Sequence, residues 1–313
     1  MNKKDNAEPM LDKIVLVANL YYKSKLSQQD IAGKLDISRP WVSRLLSRAE
    51  ELGIVKIEIQ SPSSGCPALE EHLKERYGIS HAGVVPASDC SRDQAAAAAA
   101  TYFVSQLQPD DVIGIGWGDA VSRFLRQLFP LHLPDTRVVP MAGSFGTSSE
   151  TLPNYIAMQL AERLGGTSLP LHVPAFCSTR EEYQALIENE QTRKILSVIN
   201  HADIAIFGIG SFTSSFLFRH HVLSGEEEQE LIRAGAIGDL SLHFIDRQGA
   251  PADCSLCRRI IHADLPEIRK YARTVIGIAQ GNEKLEVIKA ALDGRLIDAL
   301  FTDEITAAAL LKG

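Results

Sequence analysis

The 313-residue chain has no apolar run approaching the ~18–20 residues that a membrane-spanning helix needs. That excludes a transmembrane-helix protein. The amino terminus, MNKKDNAEPM, is charged and carries no apolar signal core, so the expected location is the cytoplasm, with no membrane partner. Cysteine is scarce: Cys66, Cys90, Cys177, Cys254 and Cys257 form an odd, scattered set that reads as reduced thiols. Cys254-Ser-Leu-Cys257 is a lone CxxC. A zinc site needs about four ligands, and even with His262 nearby the segment supplies three, so no metal is expected.

Catalytic signatures are equally short. The chain has no G-x-S-x-G elbow, no HExxH and no Walker A motif, and FGIGSFTSS lacks the complete GxGxxG fingerprint. Asp239, Asp303 and Glu304 could serve acid–base chemistry, but no spacing singles them out. No catalytic residue and no cofactor are therefore expected. No repeat of 20–50 residues is visible either.

Positive charge is in deficit, with a formal net charge of −7. The deficit is uneven. Residues 1–60 hold 10 Lys+Arg against 8 Asp+Glu, and Lys23 to Arg48 hold six basic residues against two acidic. The amino-terminal segment is thus locally basic inside an acidic whole, which matters because local clusters decide where a phosphate backbone sits. Hydrophobic content of 45% is ordinary for a folded protein with a full core. Length suggests about two domains at ~150 residues each.

What is present supports that division. Leu11 to Tyr22 has helical apolar spacing. Ser27 precedes a second helical run with Asp30 three residues on, and Ser38 precedes a third, RPWVSRLLSRAEELG, with Pro40 in the first turn and Gly53 past its end. Two short helices joined by Asp36-Ile37 fit a helix-turn-helix: Ala32 supplies the small residue at the crossing, and Ile31, Leu35, Val42 and Leu45 supply a miniature core. Asp36 stands where the turn needs a left-handed residue. IVKIEI, Ile54 to Ile59, reads as a half-exposed strand and hence a wing.

In this motif the second helix lies in the major groove of double-stranded DNA. That turns Ser38, Arg39, Trp41, Ser43 and Arg44 toward DNA, with Ser27, Gln28 and Arg48 completing the set. Trp41 reads equally as packing against the first helix, and the whole motif as a plain helical hairpin. SPSSG, Ser61 to Gly65, reads as a linker, giving domains 1–60 and 67–313 about a 61–66 joint.

Beyond it, the apolar runs HAGVVP, DVIGIGWG, TRVVPMAG, ADIAIFGIG and RTVIGIAQG alternate with helical stretches. These are Asp93–Leu107, Asp119–Leu128, Tyr155–Leu164, Glu181–Asn200 and Glu283–Leu292. Such alternation predicts an α/β domain with a parallel sheet covered on both faces. Ligands bind such sheets outside the strands' carboxyl ends, here GIGWGD (Gly114–Asp119), MAGSFGTSS (Met141–Ser149) and FGIGSF (Phe207–Phe212). Their glycines let backbone N–H groups approach an anion, and Ser144, Thr147 and Asn154 add polar side chains. Asp239 reads as a holder of sugar hydroxyls or as a cap carboxylate. Arg259 reads as a phosphate partner or an exposed ion-pair arginine, and Lys284 as an anion partner or a solvated lysine.

Taken together, LSQQDIAGKLDISRPWVSRLL, DVIGIGWGDAV, MAGSFG, ADIAIFGIGSF, GAIGDLSLHFID and GRLIDALFTDEITAAALL resemble the SorC family of bacterial transcriptional regulators, from about Ile14 to Leu311. The resemblance implies an N-terminal winged helix-turn-helix and a C-terminal domain similar to sugar-phosphate isomerases of the NagB/RpiA type. It also implies homotetramers that respond to a phosphorylated sugar. The effector role carries over to Trp117, Gly118, Gly143, Ser144, Phe145, Gly146, Asn154, Asp239, Arg259 and Lys284. Met141 stands before the Gly143 loop, so no lysine is there to form an imine with an open-chain sugar. The reading is a DNA-binding regulator of a carbohydrate-use operon; the alternative is a sugar-phosphate isomerase with an accessory DNA-binding module.

Overall fold

The computed structural model describes residues 8–55, 65–145, 152–212, 215–219 and 222–312. The chain divides into two units, Met1–Ser61 and Pro62–Gly313.

In the first unit, α1 (Glu8–Ala18) runs on into a π-helical turn, Asn19–Lys23. Ser27 then opens α2 (Gln28–Leu35) with a reciprocal cap: its hydroxyl accepts the Asp30 N–H, and the Asp30 carboxylate accepts the Ser27 N–H, both at 3.2 Å. The helix stops at Asp36, whose φ of 48° and ψ of 51° are left-handed. Ser38 opens α3 (Arg39–Glu51) by accepting the Trp41 N–H. Ile14, Val17, Ile31, Ala32, Val42, Leu45, Leu46 and Ala49 form the core of this unit, with Leu35 and Trp41 half-buried against it. The two helices and their tight turn are a helix-turn-helix. Of the expected wing strand, Ile54 and Val55 lie in a bend, and the remainder falls outside the described residues.

The second unit alternates strands and helices. In chain order it runs α4 (Pro67–Tyr77), β1 (His81–Val85), α5 (Ser91–Gln106), β2 (Val112–Ile115), α6 (Asp119–Gln127), β3 (Arg137–Pro140), α7 (Pro153–Leu164) and β4 (Thr167–Ser168). There follow α8 (Arg180–Glu188), α9 (Glu190–Asn200), β5 (Ile204–Ser211), α10 (Phe216–Arg219), α11 (Gly225–Arg233), β6 (Gly238–Leu240) and β7 (His243–Ile245). The unit closes with α12 (Leu265–Tyr271), β8 (Thr274–Ile278), α13 (Leu285–Asp293), β9 (Ala299–Asp303) and α14 (Glu304–Lys312).

The main sheet is parallel, in the order β1-β9-β8-β5-β2-β3-β4, with β6 and β7 added antiparallel beyond the end of β5. Period-two alternation sends successive strand residues to opposite faces. Ile204, Ile206, Ile276 and Phe301 meet α5, α6 and α7 on one face through Phe103, Phe124 and Leu160. Ala205, Phe207, Val275 and Leu300 meet α4, α12, α13 and α14 on the other. The Ala95–Ala100 run lies within α5, where Ala95, Ala96, Ala99 and Ala100 are buried. Small side chains allow that helix to lie close to its neighbours.

At one edge of the sheet, the chain entering α4 lies over β1: the Cys66 N–H donates to Val84 O and the Val84 N–H donates to Glu70 Oε1, both at 2.9 Å. At the opposite edge β4 has only two residues.

Two expected elements differ. The single helix read over Glu181–Asn200 is broken at Asn189, whose Oδ1 accepts the N–H groups of Gln191 and Thr192 and so starts α9 afresh. The helix read from Glu283 begins as a 3-10 turn, Asn282–Lys284, before α13. Among the described residues, no helix is long and apolar enough to cross a membrane.

Candidate functional site

Strands β2 and β5 are neighbours whose onward connections diverge: β2 leads to β3 on one side, while β5 leads back toward β8 on the other. Such a switch point leaves a crevice outside the strand carboxyl ends. A cavity of about 810 Å³ occupies it, walled by Trp117–Asp119 after β2, Gly208–Gly210 of β5, Gln280, Glu283 and Lys284 after β8, and Asp239 and Ser241 of the β6–β7 hairpin.

Each wall has a local cause. Gly118 has a φ of 102°, which a side chain rarely adopts, and this turn releases the chain from β2 into α6. Trp117 is buried with its ring edge-on to Phe145, centroids 5.4 Å apart. Asp239 sits in β6 opposite Gly210 of β5. Its Oδ2 accepts the Leu242 N–H at 3.0 Å and so ties the hairpin turn, where Ser241 and Leu242 both have positive φ.

Burial pushes the Asp239 carboxyl up to about 6, against the Leu242 N–H bond, the Lys284 charge and the Ser215 hydroxyl, which lower it. Burial likewise holds the Lys284 ammonium below the ordinary lysine range, with Glu283 and Asp239 pulling the other way. The site therefore sets a buried carboxyl and a half-buried ammonium in each other's field without a direct hydrogen bond between them among the described residues.

The outer wall is cationic. Arg123 is held by Asp119 and Asp93, at 2.8 Å each, and Arg163 donates to Leu128 O. Arg92 and Arg126 are exposed and make no hydrogen bond or ion pair among the described residues. Five cationic side chains thus face three carboxylates in a chain that is acidic overall. Two wall hydroxyls, Ser122 and Ser241, are buried without a hydrogen-bond partner among the described residues. An unmade buried hydrogen bond costs about 1–3 kcal/mol.

Of the expected effector residues, Trp117, Gly118, Asp239 and Lys284 come together on this cavity. Gly143, Ser144, Phe145, Asn154 and Arg259 are not on its wall, although Phe145 backs Trp117. The Gly143 N–H donates to Ile261 O and the Ser144 N–H to Val173 O, so neither is directed at an anion. Asn154 clasps Leu171 through both its N–H and its C=O, and also donates to the Ser144 hydroxyl. Arg259 pairs with Glu227 at 2.6 Å and is only 17% exposed, not the exposed arginine that one reading allowed. Gly146 and Thr147 lie outside the described residues.

Sequence reasoning passed over Arg92, Arg123, Arg126, Ser122 and Ser241. DAVSRFLRQL carried a signal for two of them, since its arginines follow directly on a glycine-rich strand end.

On the smaller unit, Ser38, Arg39, Ser43 and Arg44 are exposed on the first turns of α3. Arg48 is exposed and paired with Glu51, Ser27 serves as a cap, Gln28 is half-buried, and Trp41 packs on the core.

A helix-turn-helix carried with a parallel α/β unit that has a cavity at its switch point defines a ligand-responsive transcriptional regulator. Comparison with known proteins makes this specific. The family model described as "Putative sugar-binding domain" matches residues 61–312. The chain is 33% identical over 309 residues to the sorbitol operon regulator of Klebsiella pneumoniae, covering 96% of this chain and 97% of that protein. It is 30% identical over 300 residues to the deoxyribonucleoside regulator of Bacillus subtilis (strain 168), covering 94% and 96%. The crystal structure of full-length SorC from Klebsiella pneumoniae matches with a TM-score of 0.75 at 30% identity, covering 96% of this chain and 98% of that one. The chain belongs to the SorC family of sugar-binding transcriptional regulators.

Proposed function

We propose that this chain controls a carbohydrate-use operon by reading double-stranded DNA with α3 and binding a phosphorylated sugar in the switch-point cavity. One observation carries the reading: the cavity joins a buried carboxylate, Asp239, to a surplus of cationic side chains. A carboxylate accepts from sugar hydroxyls, and Lys284 with the outer arginines complements a phosphate. The orphaned Ser122 and Ser241 hydroxyls suit a hydroxyl-rich ligand that completes their hydrogen bonds.

The operon regulators named among the relatives favour sensing over turnover. In this reading the larger unit also carries the tetramer, and the effector acts by its differential affinity for two arrangements of that assembly. The smaller unit meets DNA through Arg39, Ser43 and Arg44, with Ser38 fixing the helix start.

A thermal-shift screen of sugar phosphates against their parent sugars tests the proposal. A cognate sugar phosphate at ~100 times its Kd should stabilise the protein by about 2.7 kcal/mol, and the parent sugar by far less. No stabilisation by any phosphorylated sugar would overturn it.

A further inference from the structure

Cys254 and Cys257 serve neither the cavity nor the core in any way that requires sulfur. The two sulfurs lie 2.8 Å apart. The intervening residues form a helical turn, in which the Arg258 N–H donates to Cys254 O, so both thiols fall on one side. The Cys257 N–H donates to Cys254 Sγ. The turn is fixed from outside as well: the Ser255 N–H donates to Glu230 Oε1, and Arg258 pairs with Asp253 through two bonds.

Cys257 lines a second cavity, of about 760 Å³, shared with His243, His262 and the apolar hairpin residues Leu242 and Phe244. Small oxidants therefore have a route to Cys257, and through it to the Cys254 sulfur beside it. Among the described residues no group of three or more His, Cys, Asp or Glu could hold a metal ion. Pairing of the sulfurs with each other is the chemistry their geometry favours.

The residues that follow the pair connect it to the rest of the unit. The Cys177 N–H donates to Arg259 O, the Ile261 N–H to Ala175 O, the Gly143 N–H to Ile261 O, and the Ala263 N–H to Met141 O. A displacement starting at Cys257 thus reaches the Gly143 backbone through residues 259–261 without leaving hydrogen-bonded main chain.

We infer that Cys254 and Cys257 form a dithiol modification site, closed to a disulfide by hydrogen peroxide, and that closure loosens the main-chain tie between Ile261 and Gly143. One cysteine loses its proton and attacks the peroxide as the thiolate, giving a sulfenic acid and a hydroxide that takes up that proton to become water. The second thiol displaces the sulfenic oxygen as another water, so two thiols lose two electrons and the peroxide gains them. Closure brings the sulfurs from contact to a bond of about 2.05 Å. Burial, and then the bond to Cys254, push the Cys257 thiol up, so its attack on peroxide quickens as pH rises.

The test treats the full-length protein with hydrogen peroxide, maps cysteine linkages by mass spectrometry, and follows amide hydrogen exchange before and after, with dithiothreitol to reverse the change. The expected result is a Cys254–Cys257 cross-link and exchange at the Gly143 amide at least about tenfold faster, both reversed by the reductant. Neither effect should occur in Cys254→Ser or Cys257→Ser. Oxidation that stops at sulfinic acid, or joins other cysteines, would overturn the site. A cross-link that leaves Gly143 exchange unchanged would overturn the coupling. Because wild type is compared with itself, neither outcome depends on how the serine variants fold or on what the other cavity binds.

Discussion

Gly210 and Asp239 are register partners across the antiparallel β5–β6 pair, and a Cβ on Gly210 would lie 3.0 Å from Asp239 Oδ1. A side chain at Gly210 would press on the carboxylate that the Leu242 N–H holds. Gly210→Ala should therefore leave the protein folded while turning Asp239 aside. We expect the effector Kd to rise about tenfold, equivalent to ~1.4 kcal/mol, read by calorimetric titration with the cognate sugar phosphate. An unchanged Kd would remove Asp239 from the binding site.

The raised Asp239 carboxyl gives a pH signature. Its folded value is about 6 against an ordinary value of 3.8. Between these, the folded state keeps a proton that the unfolded chain has released, so stability falls as pH rises through the window. Above about pH 6 the whole cost is present, on the order of 3 kcal/mol. Asp239→Asn should flatten this fall in urea titrations from pH 4 to 7. A variant slope equal to that of wild type would contradict the assignment.

Arg39 and Arg44 stand exposed on α3, where no carboxylate binds them among the described residues. The double change Arg39→Ala, Arg44→Ala should cost about 1–3 kcal/mol of operator affinity per arginine that reads a base. For each arginine that instead holds a phosphate, the salt slope should fall by about one unit. Fluorescence anisotropy over a salt series separates the two cases. Effector-induced thermal stabilisation should stay as in wild type.

Asn154 is a structural clasp by its geometry, bonded to Leu171 N and O and to the Ser144 hydroxyl. Asn154→Ala strands the Leu171 N–H and C=O and should destabilise the protein by about 2–6 kcal/mol, since each unsatisfied group costs ~1–3. Denaturant melts measure this. If stability holds while effector binding is lost, Asn154 is a ligand and the clasp is incidental.

The parts legible in the sequence were those whose causes are local. Ser27 with Asp30, Ser38 with Pro40, and Asp36 in its left-handed turn each act within a few residues, so the helix-turn-helix could be read directly. Glycine-ended strands also marked two segments of the cavity wall, Trp117–Gly118 and Gly208–Gly210, while the third, after Met141, spends its Gly143 and Ser144 N–H groups on Ile261 and Val173. Asn189 escaped because Leu186 and Ile187 before it and Ile195, Leu196 and Ile199 after it keep an apolar rhythm that hides the break. The company kept by Asp239 is set by strand order: only the placement of β5 between β8 and β2 brings Trp117, Asp239 and Lys284 to one cavity. Arg259 illustrates the converse. Its residue type suited a phosphate, yet a partner 32 positions earlier, Glu227, takes its charge.

The treatment of the sheet rims has a consequence for solubility. Growth of amyloid or of a runaway sheet needs a rim of unpaired N–H and C=O groups on which a foreign strand can lie. Here Cys66 and Glu70 occupy both groups of Val84 on one rim, and two-residue β4 offers little length on the other. A foreign strand that pairs along β1 as far as Val84 must therefore first displace Glu70 and Cys66 from it.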